Sequence, residues 1–198
     1  MHVVIDATGL KVYGAGEWLV EKHGERGTRT WRKLHLAVDP NSGEILASKL
    51  TSTEKGDASQ VGALLDHIPG PLTLVTADGA YDGEPTYRTV AERQPDSPMT
   101  VIIPPRSTAV SSPDASTTPS QRDRHIQMIQ AKGRLGWQKA VGYGQRSHAE
   151  TAMFRYKAVI GSSLRARTLP AQKTEAKVAC SVLNRTARLG MLVSQRVR

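Results

Sequence analysis

The chain changes its hydrophobic period several times, and those changes mark out its elements. Val3-Val4-Ile5 is a short apolar run that ends at Asp6. Thr8 to Gly27 is glycine-rich and holds two short segments expected to pair as a hairpin. Leu34, Leu36 and Val38 alternate with Lys33, His35 and Asp39. That period of two predicts a half-buried strand with His35 on its polar face. Asn41-Ser42-Gly43 supplies a turn, and Glu44 to Leu50 reads as the next antiparallel strand.

At Asp57 the period becomes helical. Val61, Leu64, Leu65 and Ile68 share one face, Asp57 stands at the N-cap position, and Pro69-Gly70-Pro71 stops the helix. Leu72 to Ala77 is a short strand running into Asp78. A second helix is expected after Asp82, which stands where its N-cap belongs, with Tyr87, Val90 and Ala91 turned inward. A strand follows at Thr100 to Ile103. Residues 104–121 are dense in Pro, Ser and Thr and read as a flexible loop. Three helical stretches come last: Arg122 to Lys132, Gln145 to Ile160 and Lys173 to Leu189. In the last of them Ala179, Val182, Leu183 and Thr186 form the expected buried stripe, and Gly190 stands where a C-terminal cap belongs. Hairpin-linked strands followed by crossover helices imply an α/β fold with a mixed sheet covered by helices. The length, 198 residues, favours a single domain over 1–198.

Composition adds a direction. Apolar residues make up 38% and charged residues 23%, and no apolar run approaches the ~20 residues that span a bilayer. The opening residues do not have the form of a signal peptide. One cysteine, Cys180, forms no internal disulfide or cysteine zinc site, so a cytoplasmic setting is expected. The net charge of +9 is unevenly spread. Up to residue 120 there are 11 Lys/Arg against 15 Asp/Glu, and from 121 onward 16 against 3. A basic half of this kind suits a polyanion such as nucleic acid.

The candidate chemistry is acidic. Asp6 and Asp78 each end an apolar strand and are followed by small residues, an arrangement that fixes a carboxylate and leaves room for a ligand. Tyr143, Arg146, Glu150 and Lys157 are spaced three, four and seven apart, which places them on one helical face. Ala149, Ala152, Met153 and Tyr156 supply the buried face of the same helix. Converging carboxylates suit Mg²⁺, a hard cation that prefers oxygen ligands. Phosphodiester transfer commonly uses two such ions about 3.5–4 Å apart. Asp57 and Asp82 read as helix caps. His35 and His148 lack metal-ligand spacing, and Trp31 and Trp137 read as packing residues.

Four blocks carry a resemblance: Asp6-Ala7-Thr8-Gly9-Leu10-Lys11, Thr30-Trp31-Arg32-Lys33-Leu34-His35, Ala77-Asp78-Gly79-Ala80-Tyr81-Asp82, and Tyr143-x2-Arg146-x3-Glu150-x6-Lys157. In this order they resemble the DDE transposases of the insertion sequence 4 and 5 group. The resemblance implies a ribonuclease-H-like fold, a five-stranded mixed sheet with helices on both faces. It implies Asp6, Asp78 and Glu150 as the catalytic, metal-holding triad for two Mg²⁺ ions, with Mn²⁺ as a substitute. Tyr143, Arg146 and Lys157 would contact DNA. The implied activity is metal-dependent cleavage and strand transfer of double-stranded DNA by a homodimer, freeing a 3′-hydroxyl that attacks the target. The family carries a region ahead of the first aspartate, which stands here at residue 6. This gives the alternative expectation of a truncated, inactive form that binds DNA or interferes with a full-length enzyme.

Overall fold

β1 (His2–Val12) is apolar on both faces over Val3, Val4 and Ile5, and in the computed structural model it lies at the centre of the sheet. The structure describes residues 1–12 and 30–190. Most of the hairpin expected over Thr8 to Gly27 lies outside these residues; its first segment continues β1. β2 (Trp31–Val38) pairs antiparallel with β1, and β3 (Ile45–Ser52) pairs antiparallel with β2. On the other side of β1, β4 (Leu74–Ala77) and β5 (Thr100–Ile102) run parallel to it. The order is β3-β2-β1-β4-β5. Two residues of β6 (Ser163–Leu164) pair with β1 at Lys11 and Val12, a sixth strand beyond the five expected. This is a ribonuclease-H-like mixed sheet.

Helices cover both faces. α1 (Val61–Leu65), led in by a 3₁₀ turn at Ala58–Gln60, and α2 (Glu84–Arg93) pack where Val3, Ile5, Ala37, Ala47, Val75 and Val101 form one core. α4 (Ser147–Arg155) and α5 (Leu169–Arg188) pack on the other face over Leu10, Leu34, Leu36, Val38 and Leu50. Successive strand residues point to opposite faces, so β1 and β2 serve both cores at once. α3 (Gln121–Val141) lies against β5, where His125 Nε2 meets the Val101 carbonyl at 2.7 Å. Its helical geometry breaks at Gly133, whose φ of +70° is cheap only for glycine, so the first arm ends at the expected residue 132. Trp137, in the second arm, is a core residue as expected and donates from Nε1 to His125 Nδ1 at 2.9 Å.

Residues 104–120 contain no helix or strand and are tied to the start of α3. Buried Asp123 accepts from the backbone N–H of Ser112 at 2.8 Å and from the Ser112 hydroxyl at 2.8 Å. It also completes a capping box with Ser120.

The structure corrects several expectations in detail. His35 is fully buried, because α1 and its lead-in cover the face that alternation assigned to solvent. Its Nε2 meets Thr51 Oγ1 at 2.9 Å, and its Nδ1 lies 3.8 Å from Asp57. Asp57 makes no side-chain cap and instead pairs with Lys33 at 3.1 Å. Asp82 does not cap α2, whose N-cap is Gly83. Thr86 rather than Ala91 joins Tyr87 and Val90 inside. On α5 the buried stripe is Ala176, Ala179, Cys180 and Leu183, with Val182 and Thr186 outside it. Gly190 has the positive φ, +86°, expected of a residue that ends a helix.

His35 makes a testable contribution to pH dependence. Burial, with smaller effects of Lys33 and Lys49, lowers its pKa from an ordinary 6.5 to about 4, and Asp57 opposes the shift. The unfolded chain therefore gains a proton below pH 6.5 that the folded chain takes up only near pH 4. Stability falls as pH drops through that window. The wild-type chain is expected to lose about 2 kcal/mol through this group between pH 7 and pH 5. His35→Gln should lack that increment in urea denaturation at the two pH values.

Candidate active site

Each acidic residue of the site is placed by a different kind of element. Asp6 sits within β1 opposite Leu36 of β2, a position that points its side chain toward the face covered by α4. Asp78 follows directly on β4, which pairs with β1 through Ala77 and Ile5, and leads into a 3₁₀ turn at Gly79–Tyr81. Glu150 lies in the first turn of α4, where the helix dipole favours a carboxylate. The α4 face expected to be buried is buried: Ala149, Ala152 and Met153, followed by Tyr156. Their packing holds Glu150 over the strand ends.

Arg146 joins the three. It lies in the 3₁₀ turn Tyr143–Arg146 that precedes α4. Its Nη2 donates to Asp6 Oδ2 at 2.9 Å and stands 3.6 Å from Asp78 Oδ2, while its Nη1 donates to Glu150 Oε1. Asp6 is reached across 140 residues of sequence. The two aspartates share a pattern. Asp6 Oδ1 accepts from the Ala7 backbone N–H at 2.8 Å, and Asp78 Oδ1 accepts from the Ala80 N–H at 2.8 Å. One oxygen of each is thus fixed by the main chain, and the other faces the shared cation.

The electrostatics follow from partial burial. Asp6 is 7% exposed. Desolvation holds its carboxyl above the usual range, opposed by the Ala7 N–H and Arg146 and reinforced by Asp78 and Glu150. The Tyr143 hydroxyl is raised above its ordinary value, first by burial, and it feels all three carboxylates as well as Arg146. Its ring packs against Trp137 at 5.3 Å. Tyr143, Arg146, Asp6, Asp78 and Glu150 are therefore neighbours. Lys157 is not drawn in: it lies in the π-helical turn Tyr156–Ile160, is exposed, and forms no ion pair or side-chain hydrogen bond among the described residues.

The carboxylates offer hard oxygen donors. Among the described residues no three acidic, histidine or cysteine side chains already surround one common ion position. The three carboxylates converge on the Arg146 guanidinium instead. The donor set therefore fits Mg²⁺ or Mn²⁺ in chemistry, and Arg146 marks the place where positive charge is needed.

Sequence spacing did not reveal two supporting groups. Asp82 accepts a two-pronged bond from Arg122, Nε to Oδ1 at 2.7 Å and Nη2 to Oδ2 at 3.1 Å. Arg106 donates to the carbonyls of Gly79 and Ala80 at 3.2 and 3.0 Å. Both arginines come from segments with no periodicity linking them to the Asp78 turn, and the available signal was the presence of a second acid in that block.

The mixed sheet and α4 thus bring an aspartate within β1, an aspartate directly after β4 and a glutamate in the first turn of a covering helix to one guanidinium. A family model described as a transposase DDE domain matches residues 1–185, and the chain belongs to that family. Among solved structures it is similar to a piggyBac transposase, determined by cryo-EM as a synaptic complex with hairpin DNA. The sequences are 11% identical and the TM-score is 0.39, over 98% of this chain and 55% of that one. The chain thus spans about half the length of that protein. Among the described residues no helix is long and apolar enough to cross a membrane.

Removing the guanidinium leaves three acids close together without their cation. In a chelator-containing buffer at pH 7, Arg146→Gln is expected to lower stability by about 1.5–3 kcal/mol, the range for hydrogen bonds to charged groups. Adding Asp6→Asn should restore part of that loss, a coupling readable from a double-mutant cycle in urea.

Proposed function

We propose that this domain carries out the cleavage and strand-transfer steps of DNA transposition, as an enzyme of the insertion sequence 4 and 5 type. The observation that carries the reading is the meeting of Asp6, Asp78 and Glu150, from three distant segments, at one guanidinium. Asp6, Asp78 and Glu150 would hold two divalent ions, Mg²⁺ or Mn²⁺. When bound, such a pair supplies an activated attacking oxygen and stabilises the leaving oxygen.

The chain's own residues then divide the work. The main-chain bonds to Asp6 Oδ1 and Asp78 Oδ1 keep the opposite oxygens aimed into the site, so little reorganisation is needed there. Arg146, a planar fork suited equally to carboxylate and phosphate, exchanges the carboxylates for a phosphate of the DNA strand. Tyr143 borders the site from the same turn. Exposed Lys157 meets the backbone further along. The basic segment after residue 120 supplies the sequence-independent attraction for duplex DNA. A homodimer acting on the two ends of an element would complete the assembly, working wherever the cell's DNA is.

The test is joining of a pre-nicked element-end oligonucleotide in Mg²⁺ or Mn²⁺. Wild-type protein should join it, while Asp78→Ala and Glu150→Ala abolish joining and still bind duplex DNA in a salt-sensitive way. A folded wild type that binds DNA but neither cuts nor joins in either metal would leave the inactive, DNA-binding form. Lys157→Ala should weaken DNA binding alike for all sequences and reduce the salt slope by roughly 1.

A further inference from the structure

The turn that carries Asp78 is anchored from within by Tyr81, which is buried in the core. It is a three-residue 3₁₀ turn between β4 and Asp82, and its peptide groups lie at the protein surface near the site. Its outer side is braced by the segment after β5. Pro104 runs so close beneath it that a Cβ on Gly79 would stand 3.3 Å from the Pro104 carbonyl oxygen. Two residues on, the Arg106 backbone N–H donates to Asp82 Oδ2 at 3.0 Å, and Asp82 is itself gripped by Arg122. The Arg122 fork reaches back to the same segment through the Val110 carbonyl at 3.0 Å. Arg134 adds a bond to the Pro105 carbonyl at 2.8 Å.

Held in this way, the Arg106 guanidinium lies over the turn. Its Nε donates to the Gly79 carbonyl and its Nη2 to the Ala80 carbonyl. The Gly79 carbonyl and the Ala80 N–H belong to one peptide group, and that N–H is the donor that fixes Asp78 Oδ1. A cation on the oxygen end of a planar peptide both locks its orientation and polarises its N–H toward the carboxylate. The effect passes through one peptide group to Asp78.

We infer that Arg106 is a positioning residue for Asp78, acting through the Gly79–Ala80 peptide and anchored by the buried Asp82–Arg122 pair. This rests on the reading of Asp78 as a carboxylate that holds a divalent ion. Arg106 touches neither the other carboxylates nor Arg146 and is exposed, so its substitution leaves both cores intact. Outer groups that orient metal-holding side chains usually change metal affinity by roughly 10–100-fold.

The experiment is a Mn²⁺ titration followed by electron paramagnetic resonance, on wild type, Arg106→Met, Arg106→Lys and Asp78→Ala. Each protein is also measured for thermal unfolding and for duplex-DNA affinity in chelator. Arg106→Met is expected to bind Mn²⁺ roughly 10–100-fold more weakly, with its unfolding midpoint and DNA affinity unchanged. Arg106→Lys, which keeps the charge without the fork, should recover part of the affinity. Wild-type Mn²⁺ affinity in Arg106→Met overturns the inference. So does a loss of DNA affinity with Mn²⁺ binding intact, since Arg106 would then be a phosphate contact. Asp78→Ala separates the two levels: if it binds Mn²⁺ like wild type, the reading of the site as a metal centre fails. If it loses Mn²⁺ while Arg106→Met does not, only the positioning role fails.

Discussion

Charge compensation around Arg146 is the interaction on which the described site depends. Three carboxylates gathered at the edge of a hydrophobic core repel one another, and at 4 Å two unit charges interact by about 4 kcal/mol for an effective dielectric of 20. One guanidinium between them turns repulsion into attraction. It also links β1, the end of β4 and the start of α4, elements that share no continuous backbone. Among the described residues Arg146 Nε has no hydrogen-bond partner, and the side chain is held by its two terminal nitrogens.

The sheet makes that meeting possible. β1 is buried on both faces and pairs antiparallel on one side and parallel on the other. A strand so enclosed has little freedom of register, because a slip by one residue would turn Asp6 into one core and Val3 and Ile5 into the other. The parallel pairing of Ile5 with Ala77 then brings Asp78 beside Asp6. α4 adds Glu150 from above, its height set by Ala149 and Ala152, whose small side chains let the helix lie close. Placement of the acids is therefore a consequence of core packing.

This explains which parts were legible in the sequence. Asp6 and Asp78 stand at or near the ends of apolar runs, and the hydrophobic period locates such runs well. Glu150 was legible through its spacing from Tyr143 and Arg146, and its role only through the resemblance. The roles of His35 and Asp57 escape the hydrophobic period, which describes one element at a time. β2 alternates as though half exposed, yet a helix from 61 onward covers the side assigned to water, and the hydrogen-bonded His35 and Thr51 side chains fill the space there. Asp82 met the same difficulty. Its position before a helix made capping the local expectation, whereas a guanidinium 40 residues on provides the stronger partner. Val182 was misplaced by one helical position, because the packing face of α5 is set by where β3 lies. Long-range pairing of polar groups has no period and so leaves no local trace.

The distribution of charge poses a final constraint. The net charge of +9 is concentrated after residue 120, where DNA is proposed to bind, yet the place where chemistry is proposed holds three negative groups. A phosphate approaching bare carboxylates would be repelled, so a cation must occupy the site at every stage. In the free protein Arg146 meets that need. In the proposed reaction a DNA phosphate would compete for the same side chain, and divalent ions would take the vacated oxygens. Each of these exchanges favours the other, since a phosphate that draws Arg146 away uncovers the acids, and ions on the acids release Arg146. By linkage, DNA and metal should therefore strengthen each other's binding by the same factor. Chemistry would then be restrained until both are present, through the geometry of one side chain.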